Sequence, residues 1–216
     1  MSARLNAAYN DQWATVLPRL RKAGGVLPWA SKQQQVFWRG ADTNLARAQL
    51  VAAAQAARTP AGQSAVTSNV TIMEWTGFTD PGRDFVSLDE QCLFQYLPHA
   101  PGHTYSAMLK YKLACGSVAL PMANTYHEWW DRAIVNGTHA LTIKKDASDL
   151  WDVVDRAAAD PRGAATIAQG GAQLAEDLLG DDGVDCYWAQ LLRRYVPLVI
   201  ERVVDCGGLL RKDGHL

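Results

Sequence analysis

Cys92-Leu93-Phe94-Gln95-Tyr96-Leu97, the turn residues Pro98, Pro101 and Gly102, the segment Thr104 to Cys115, then Gly116 and Ser117-Val118-Ala119-Leu120: the fold is decided here. The first six residues are a short apolar run bounded by turn formers, which predicts a buried strand. Thr104 to Cys115 places Ala107, Leu109, Lys110 and Leu113 at helical spacing, with Gly116 in the stop position. Ser117–Leu120 is a second buried strand. A strand, a crossover helix and another strand are the repeating unit of a parallel sheet.

The same alternation extends outward. Gln35-Val36-Phe37-Trp38 predicts a strand ended by Arg39-Gly40, and a polar turn, Ala41 to Asn44, leads into an Ala-rich helix over Leu45–Arg58. Thr59 to Gly82, broken by Pro60, Gly62, Gly77, Pro81 and Gly82, predicts loop around a strand at Val70–Trp75. Downstream, Glu128-Trp129-Trp130 opens a short helix and His139–Ile143 makes a third strand. Ser148 is placed to cap a helix with Leu150, Val153, Val154 and Ala157 on its apolar face, stopped at Asp160-Pro161. A second helix carries Ala164, Ile167, Ala168, Gly171, Leu174, Ala175 and Leu178, and a third runs from Cys186 through Trp188, Leu191 and Leu192 to Tyr195. The expected class is α/β, a Rossmann-like doubly wound parallel sheet.

Composition bounds the chemistry. At 216 residues and 23.6 kDa the chain has room for one domain or one and a half. Lys plus Arg number 21 against 22 Asp plus Glu, a net charge of −1, which argues against a nucleic-acid binder. No apolar run approaches the roughly 20 residues that span a bilayer, and residues 1–20 show no signal peptide. Eight Trp is the unusual figure, since Trp often lines sugar or interface surfaces. The four Cys, at 92, 115, 186 and 206, form no C-x-x-C pair. Two sequons, Asn69-Val70-Thr71 and Asn136-Gly137-Thr138, matter only in a secretory compartment.

Sheets of this kind bind ligands outside the carboxyl ends of their strands. Two places qualify. One is Trp38-Arg39-Gly40-Ala41-Asp42-Thr43 with Arg47 one turn into the helix: Gly40 allows close backbone approach, and Arg47 has the planar fork that clamps a phosphate. The other is Gly102-His103-Thr104-Tyr105-Ser106-Ala107, a helix start whose free N–H groups suit a diphosphate. Each has a plainer reading, a strand–helix turn with a solvated Arg and an ordinary N-cap by Thr104. Glu128 is placed to bind a ribose diol or simply to sit at a helix start, and His139 reads as a hydrogen-bonded core residue. There is no G-x-G-x-x-G, P-loop or G-x-S-x-G, so nicotinamide, ATP and serine-hydrolase sites have no motif support. The absence of D-x-D weakens a transfer in which paired carboxylates hold a metal to a nucleotide diphosphate.

The run from Cys92 to Tyr195 resembles the C-terminal half of the protein O-glucosyltransferases and their capsule-associated relatives, the family-90 glycosyltransferases. The landmarks are Thr104-Tyr105-Ser106-Ala107-Met108-Leu109-Lys110-Tyr111, Leu113-Ala114-Cys115-Gly116-Ser117-Val118, Glu128-Trp129-Trp130, His139, Asp146 to Leu150, Ala164–Gly170 and Cys186-Tyr187-Trp188 to Tyr195. Pro28-Trp29 and Phe37-Trp38-Arg39-Gly40 to Arg47 resemble the family's Arg-Gly donor loop, so the likeness covers roughly 28–200.

That resemblance implies a GT-B enzyme of two facing Rossmann-like halves. Such an enzyme transfers glucose or xylose from UDP-glucose or UDP-xylose to a protein Ser hydroxyl or a glycan, with inversion and without a metal or other cofactor. It implies donor binding by Arg39, Gly40, Ala41 and Arg47, by His103, Thr104, Tyr105, Ser106, Ala107 and Met108, and by Glu128 at the ribose. It also implies a Cys92–Cys115 disulfide and a place in the secretory lumen, with Cys186 free because its usual partner is missing. Two departures stand out. Many members carry Arg, a diphosphate contact, where this chain has Met108. The 27 residues before Pro28 are also too few for the acceptor domain with its catalytic Asp. The expected organisation is a remnant or linker at 1–27, a UDP-sugar-binding domain at 28–205 and a tail at 206–216. That describes a donor-binding half, arising as a fragment, a truncated gene model or a degenerate copy. Three functions follow: an active glycosyltransferase, a non-catalytic sugar-nucleotide-binding or scaffold protein, or an unrelated nucleotide-binding α/β domain.

Overall fold

A computed structural model describes residues 13–56, 64–74 and 84–210. Four strands, β1 (Gln33–Gly40), β2 (Thr67–Ile72), β3 (Phe94–His99) and β4 (Val118–Pro121), form one sheet in the order β2-β1-β3-β4. All three pairings are parallel, with Trp38 opposite Val70, Val36 opposite Tyr96 and Tyr96 opposite Val118. Side chains alternate between the faces with the period of two that strand geometry imposes. Val36, Trp38, Tyr96, Val118 and Leu120 lie in one core cluster, and Phe37, Leu97 and Ala119 in the other.

An apolar layer on each face has to be covered, and helices cover both. The first face takes α2 (Leu45–Gln55), α5 (Leu150–Ala159) and the beginning of α6 (Pro161–Leu179), through Leu50, Leu150, Val154, Ala164 and Ala168. The second takes α1 (Trp13–Val26), α3 (Leu88–Gln91), α4 (Leu109–Ala114) and the end of α6, through Leu20, Leu88, Leu113, Ala175 and Leu179. α7 (Asp181–Leu210) follows α6 directly. The doubly wound parallel sheet is the architecture expected, and the stop at Asp160-Pro161 holds: Pro161 opens α6 while Asp160 caps it by accepting from Gly163 N.

Several boundaries differ. Residues 13–26, within the segment expected as a remnant or linker, form a packed helix: Val16, Leu17 and Leu20 are buried, Trp13 Nε1 donates to Leu179 O, and Arg19 pairs with Asp89 at 2.9 Å. A Cβ at Gly24 would stand 2.0 Å from Cys115 O, so only glycine permits this docking. The predicted helix at Thr104 does not start until Leu109, and its N-cap residue is Met108, not Thr104. Just before the expected cap, Pro101 O and Gly102 O accept from the side chains of Arg47 and Asn44. His139–Ile143 is not a strand. Gly137, at φ 80, turns the chain back, and only isolated bridges at Asn136–Ala140 and Met122–Ile143 form. His139 Nδ1 accepts from Val135 N at 3.1 Å, as expected, but the residue is half-buried and not in the core.

Cys92 belongs to the end of α3, missed in the sequence, whose Ser87–Glu90 capping box starts it one turn earlier. Glu128–Trp130 lead into a single 3-10 turn, Asp131–Ala133. Asp149, not Ser148, stands at the cap of α5, and its carboxylate accepts from Lys144 N instead. α2 ends at Gln55, short of Arg58, and the last helix runs far beyond 186–195, through the expected tail boundary at 206. Trp75 and residues 211–216 lie outside the described residues.

Candidate functional site

The chain leaves β1 toward β2 on one side of the sheet, while β3 and β4 continue on the other. The loops leaving β1 and β3 therefore diverge at their carboxyl ends, and a crevice opens between them. Arg39-Gly40-Ala41 form one wall and Ala100-Pro101-Gly102 the other. Arg47, in the first turn of α2, spans the gap: its Nε donates to Pro101 O and its Nη1 to Ala41 O, both at 2.8 Å. Asn44 adds a second tie, capping α2 through Ala46 N at 2.9 Å and donating its Nδ2 to Gly102 O at 2.8 Å. The guanidinium lies 5.7 Å from the centre of the Trp38 ring. Burial lowers its pKa and the Asp42 charge opposes this, which leaves a group with so high an ordinary value cationic.

Gly40 is required by contact. A Cβ there would sit 2.5 Å from Trp38 Cζ2 and 3.3 Å from Arg47 Nη1. Arg39 serves as a brace. Its Nη1 donates to Asn69 O at 2.7 Å and its Nη2 to Asn69 Oδ1 at 2.6 Å, while its buried Nε has no partner among the described residues. The first sequon amide is thus engaged by Arg39.

Two adjoining cavities open here. One, of about 170 Å3, is lined by Arg39, Gly40, Ala41, Arg47, Ser106 and Met108 from the sequence-derived set, and also by Lys112. The other, of about 290 Å3, lies past Ser106 at the ends of β3 and β4 and is faced by Tyr105, Glu128 and His99. The fold therefore gathers eight of the eleven candidate residues around one pair of cavities. His103, Thr104 and Ala107 line neither and stand exposed on the connecting loop. α4, with 6 residues, is too short to present the helix N-terminus expected there, so side chains and loop N–H groups have to hold any anion. Glu128 is half-buried. Desolvation and Asp131 raise its pKa, while Lys110 and a hydrogen bond from Trp130 lower it. A further cavity, of about 440 Å3 beside Trp29, Gln34 and Gln95, lies at the opposite, amino end of the strands.

Sequence reasoning missed Lys112, Asn44 and His99. The helical stripe was read through Lys110, but Lys112 is the buried lysine, whereas Lys110 lies 5.0 Å from the Trp13 ring centre. A lysine three residues after Leu109 and beside Leu113 was the available signal. Away from the crevice, Cys92 and Cys115 form the disulfide that the resemblance implied, and Cys186 is free and exposed. Among the described residues no group of His, Cys, Asp and Glu forms a metal site, and no helix is long and apolar enough to cross a membrane.

Residues 8–205 match the family described as Glycosyl transferase family 90. The chain belongs to this family. As a glycosyl transferase family 90 member it is 25% identical over 189 residues to protein O-glucosyltransferase 1 of Rattus norvegicus, covering 85% of this chain and 47% of that protein. It is 26% identical over 195 residues to the O-glucosyltransferase rumi of Drosophila melanogaster, covering 87% and 46%. To protein O-glucosyltransferase 2 of Danio rerio it is 28% identical over 174 residues, covering 81% and 35%. The chain spans half or less of the length of these relatives. A solved structure, the sucrose-phosphate synthase of Thermosynechococcus elongatus, resembles it with a TM-score of 0.48 and 16% identity, covering 82% of this chain and 49% of that one.

Proposed function

We propose that this chain is the donor-binding portion of a glycosyltransferase that moves glucose or xylose from a UDP-sugar to a protein Ser hydroxyl or a glycan. The observation that carries the reading is Arg47. It ties the loops after β1 and β3 across the switch point and lines the 170 Å3 cavity beside Ser106 and Met108. Family membership and the names of the relatives supply the reaction class. In a direct displacement the acceptor oxygen attacks the sugar's anomeric carbon as the bond to the diphosphate breaks on the opposite face, so the configuration inverts. Negative charge then builds on the leaving diphosphate. A fixed guanidinium aimed at it stabilises that charge without needing a metal. In this reading Glu128, which lines the neighbouring cavity with the shared Ser106, accepts hydrogen bonds from the ribose hydroxyls. The base that takes the acceptor proton is not assigned to this chain.

Titration calorimetry with UDP, UDP-glucose and UDP-xylose tests the donor site. Arg47→Ala should weaken binding by about tenfold or more, because charge-assisted hydrogen bonds contribute about 1.5–3 kcal/mol each. The reading fails if none of the three binds the wild-type chain, or if Arg47→Ala changes nothing. A non-catalytic sugar-nucleotide-binding role is favoured by Met108, which lines the cavity where the family resemblance implies an Arg; sugar transfer by this chain alone to any acceptor would exclude it. A place in the secretory lumen is supported by the Cys92–Cys115 disulfide, since such bonds persist where the environment is oxidising. Non-reducing mass mapping of protein from its native source should find the two joined; free thiols at both would argue for the cytosol.

A further inference from the structure

Lys112 projects from α4 one turn beyond Met108, and both side chains line the 170 Å3 cavity with Arg47, Arg39, Trp38 and Ser106. The lysine is only 4% exposed. Its Nζ donates to Pro98 O, and its other two N–H donors have no acceptor among the described residues. The groups that face it are also basic. Arg47, from α2, acts on it with a like charge, and Arg39 stands across the cavity, engaged by Asn69. His99, from β3, is itself held well below its ordinary pKa by burial and by the charges of Lys112 and Arg47, and its buried Nδ1 has no partner among the described residues. Asp42 and Asp84 act on Arg47 and Arg39 respectively, but no carboxylate acts on Lys112 among the described residues. A buried ammonium opposed only by cations and a carbonyl is an incomplete arrangement, and an anion in the cavity completes it.

We propose that Lys112 is a diphosphate-binding residue of the donor site, supplying from the next turn of α4 the cation that Met108 does not provide. The inference rests on the donor-site reading above. The same burial and the Arg47 charge bring the free ammonium down to about 7, so the cation is only partly present near neutrality until an anion arrives. Binding therefore takes up a proton, and affinity falls as pH rises. UDP-glucose is a suitable probe because its diphosphate diester has no group titrating in this range, and the uracil N3–H, which begins to ionise at its upper end, is common to every variant, so the pH effect is read against Lys112→Met.

The experiment is titration of the full chain with UDP-glucose at pH 7 and 9, and separately with inorganic pyrophosphate at pH 7. The proteins are the wild type, Lys112→Met and the double variant Met108→Arg/Lys112→Met, each confirmed as folded by thermal melting. Wild-type affinity for UDP-glucose should fall at least about fivefold from pH 7 to 9. Lys112→Met should bind about tenfold more weakly at pH 7 and lose that dependence. The double variant should regain affinity with a flat profile, because an Arg at 108 lines the same cavity and stays charged. A Lys112→Met protein with wild-type affinity and the wild-type pH profile overturns the proposal. If the wild type ignores UDP-glucose but binds pyrophosphate through Lys112, the anion site stands and the donor reading falls. Binding of neither probe overturns both.

Discussion

At the scale of single residues, two kinds of constraint shape this crevice: contact and charge. Gly40 illustrates the first. Its missing side chain lets β1 end against the Trp38 indole, with Arg47 laid over the same ring. Gly40→Ala should cost about 1–3 kcal/mol by overpacking, read by urea unfolding, and should weaken UDP-sugar binding as Arg47 is displaced. An alanine variant with wild-type stability and affinity would show that the indole moves aside freely. Charge is illustrated by two lysines. Burial brings Lys32 to about 8, where its Nζ donates to the carbonyls of Cys92 and Cys115, and brings Lys112 to about 7. In the unfolded chain both titrate near 10.4. Between the folded and unfolded values the unfolded chain binds more protons, so stability rises with pH from about 7 to 9.5 and is lost again as pH falls through 8 and then 7. Tyr96, pushed up to about 12 by burial, reverses the trend only above pH 10. Urea midpoints at pH 6.5, 8 and 9.5 should increase in that order, and less steeply in Lys112→Met; a midpoint that falls across the series contradicts the burial of these ammonium groups.

Elements were readable where their own residues decided them. The strands expected at 92–97 and 117–120 are apolar runs beside turn formers and form at Phe94–His99 and Val118–Pro121, so Pro98, expected in the turn, lies inside β3. α5 shows the stripe expected of it, with Leu150, Val153, Val154 and Ala157 buried. The failures came where another part of the chain intervened. α4 starts at Leu109, beyond a loop whose Pro101 and Gly102 carbonyls are held by Arg47 and Asn44, more than 50 positions upstream. The region 141–143 keeps strand-like hydrogen bonds, Leu141 N to Ala119 O and Ile143 N to Pro121 O, yet Gly137 limits it to isolated bridges. α1 was unreadable for a different reason. Its apolar positions gain meaning only against Phe37, Leu97 and Leu113 across the sheet's second face. Leu20, fully buried there, tests its standing in the core. Leu20→Ala should destabilise the chain by about 2–5 kcal/mol in equilibrium unfolding, while a loss under about 0.5 kcal/mol would mark 13–26 as an appendage.

At the scale of the whole molecule, apolar surface is distributed unevenly. Both sheet faces are closed, but α7 leaves Trp188, Leu192, Tyr195 and Leu198 more than half exposed, beyond the stacked pair Trp129–Tyr187 at 4.1 Å. These side chains add little to the stability of this chain. The double variant Leu192→Lys/Tyr195→Lys should therefore keep its unfolding free energy within about 0.5 kcal/mol of the wild type. A loss of about 2 kcal/mol or more would show that the stripe is packed in solution.

The amino-acid sequence by itself determined the class of fold, the order of most elements and two candidate stretches at strand ends, because hydrophobic period and turn chemistry are local properties. It also contained Gly40 and Arg47, whose residue types suit a phosphate site before any contact is known. Only the tertiary structure decided that those stretches share one crevice, that Arg39 is a brace for Asn69, and that Lys112 rather than Lys110 faces the cavity. The reason is geometric. Strand order places the ends of β1 and β3 side by side, and a side chain's charge, burial and partners are set by neighbours that the linear chain keeps far apart.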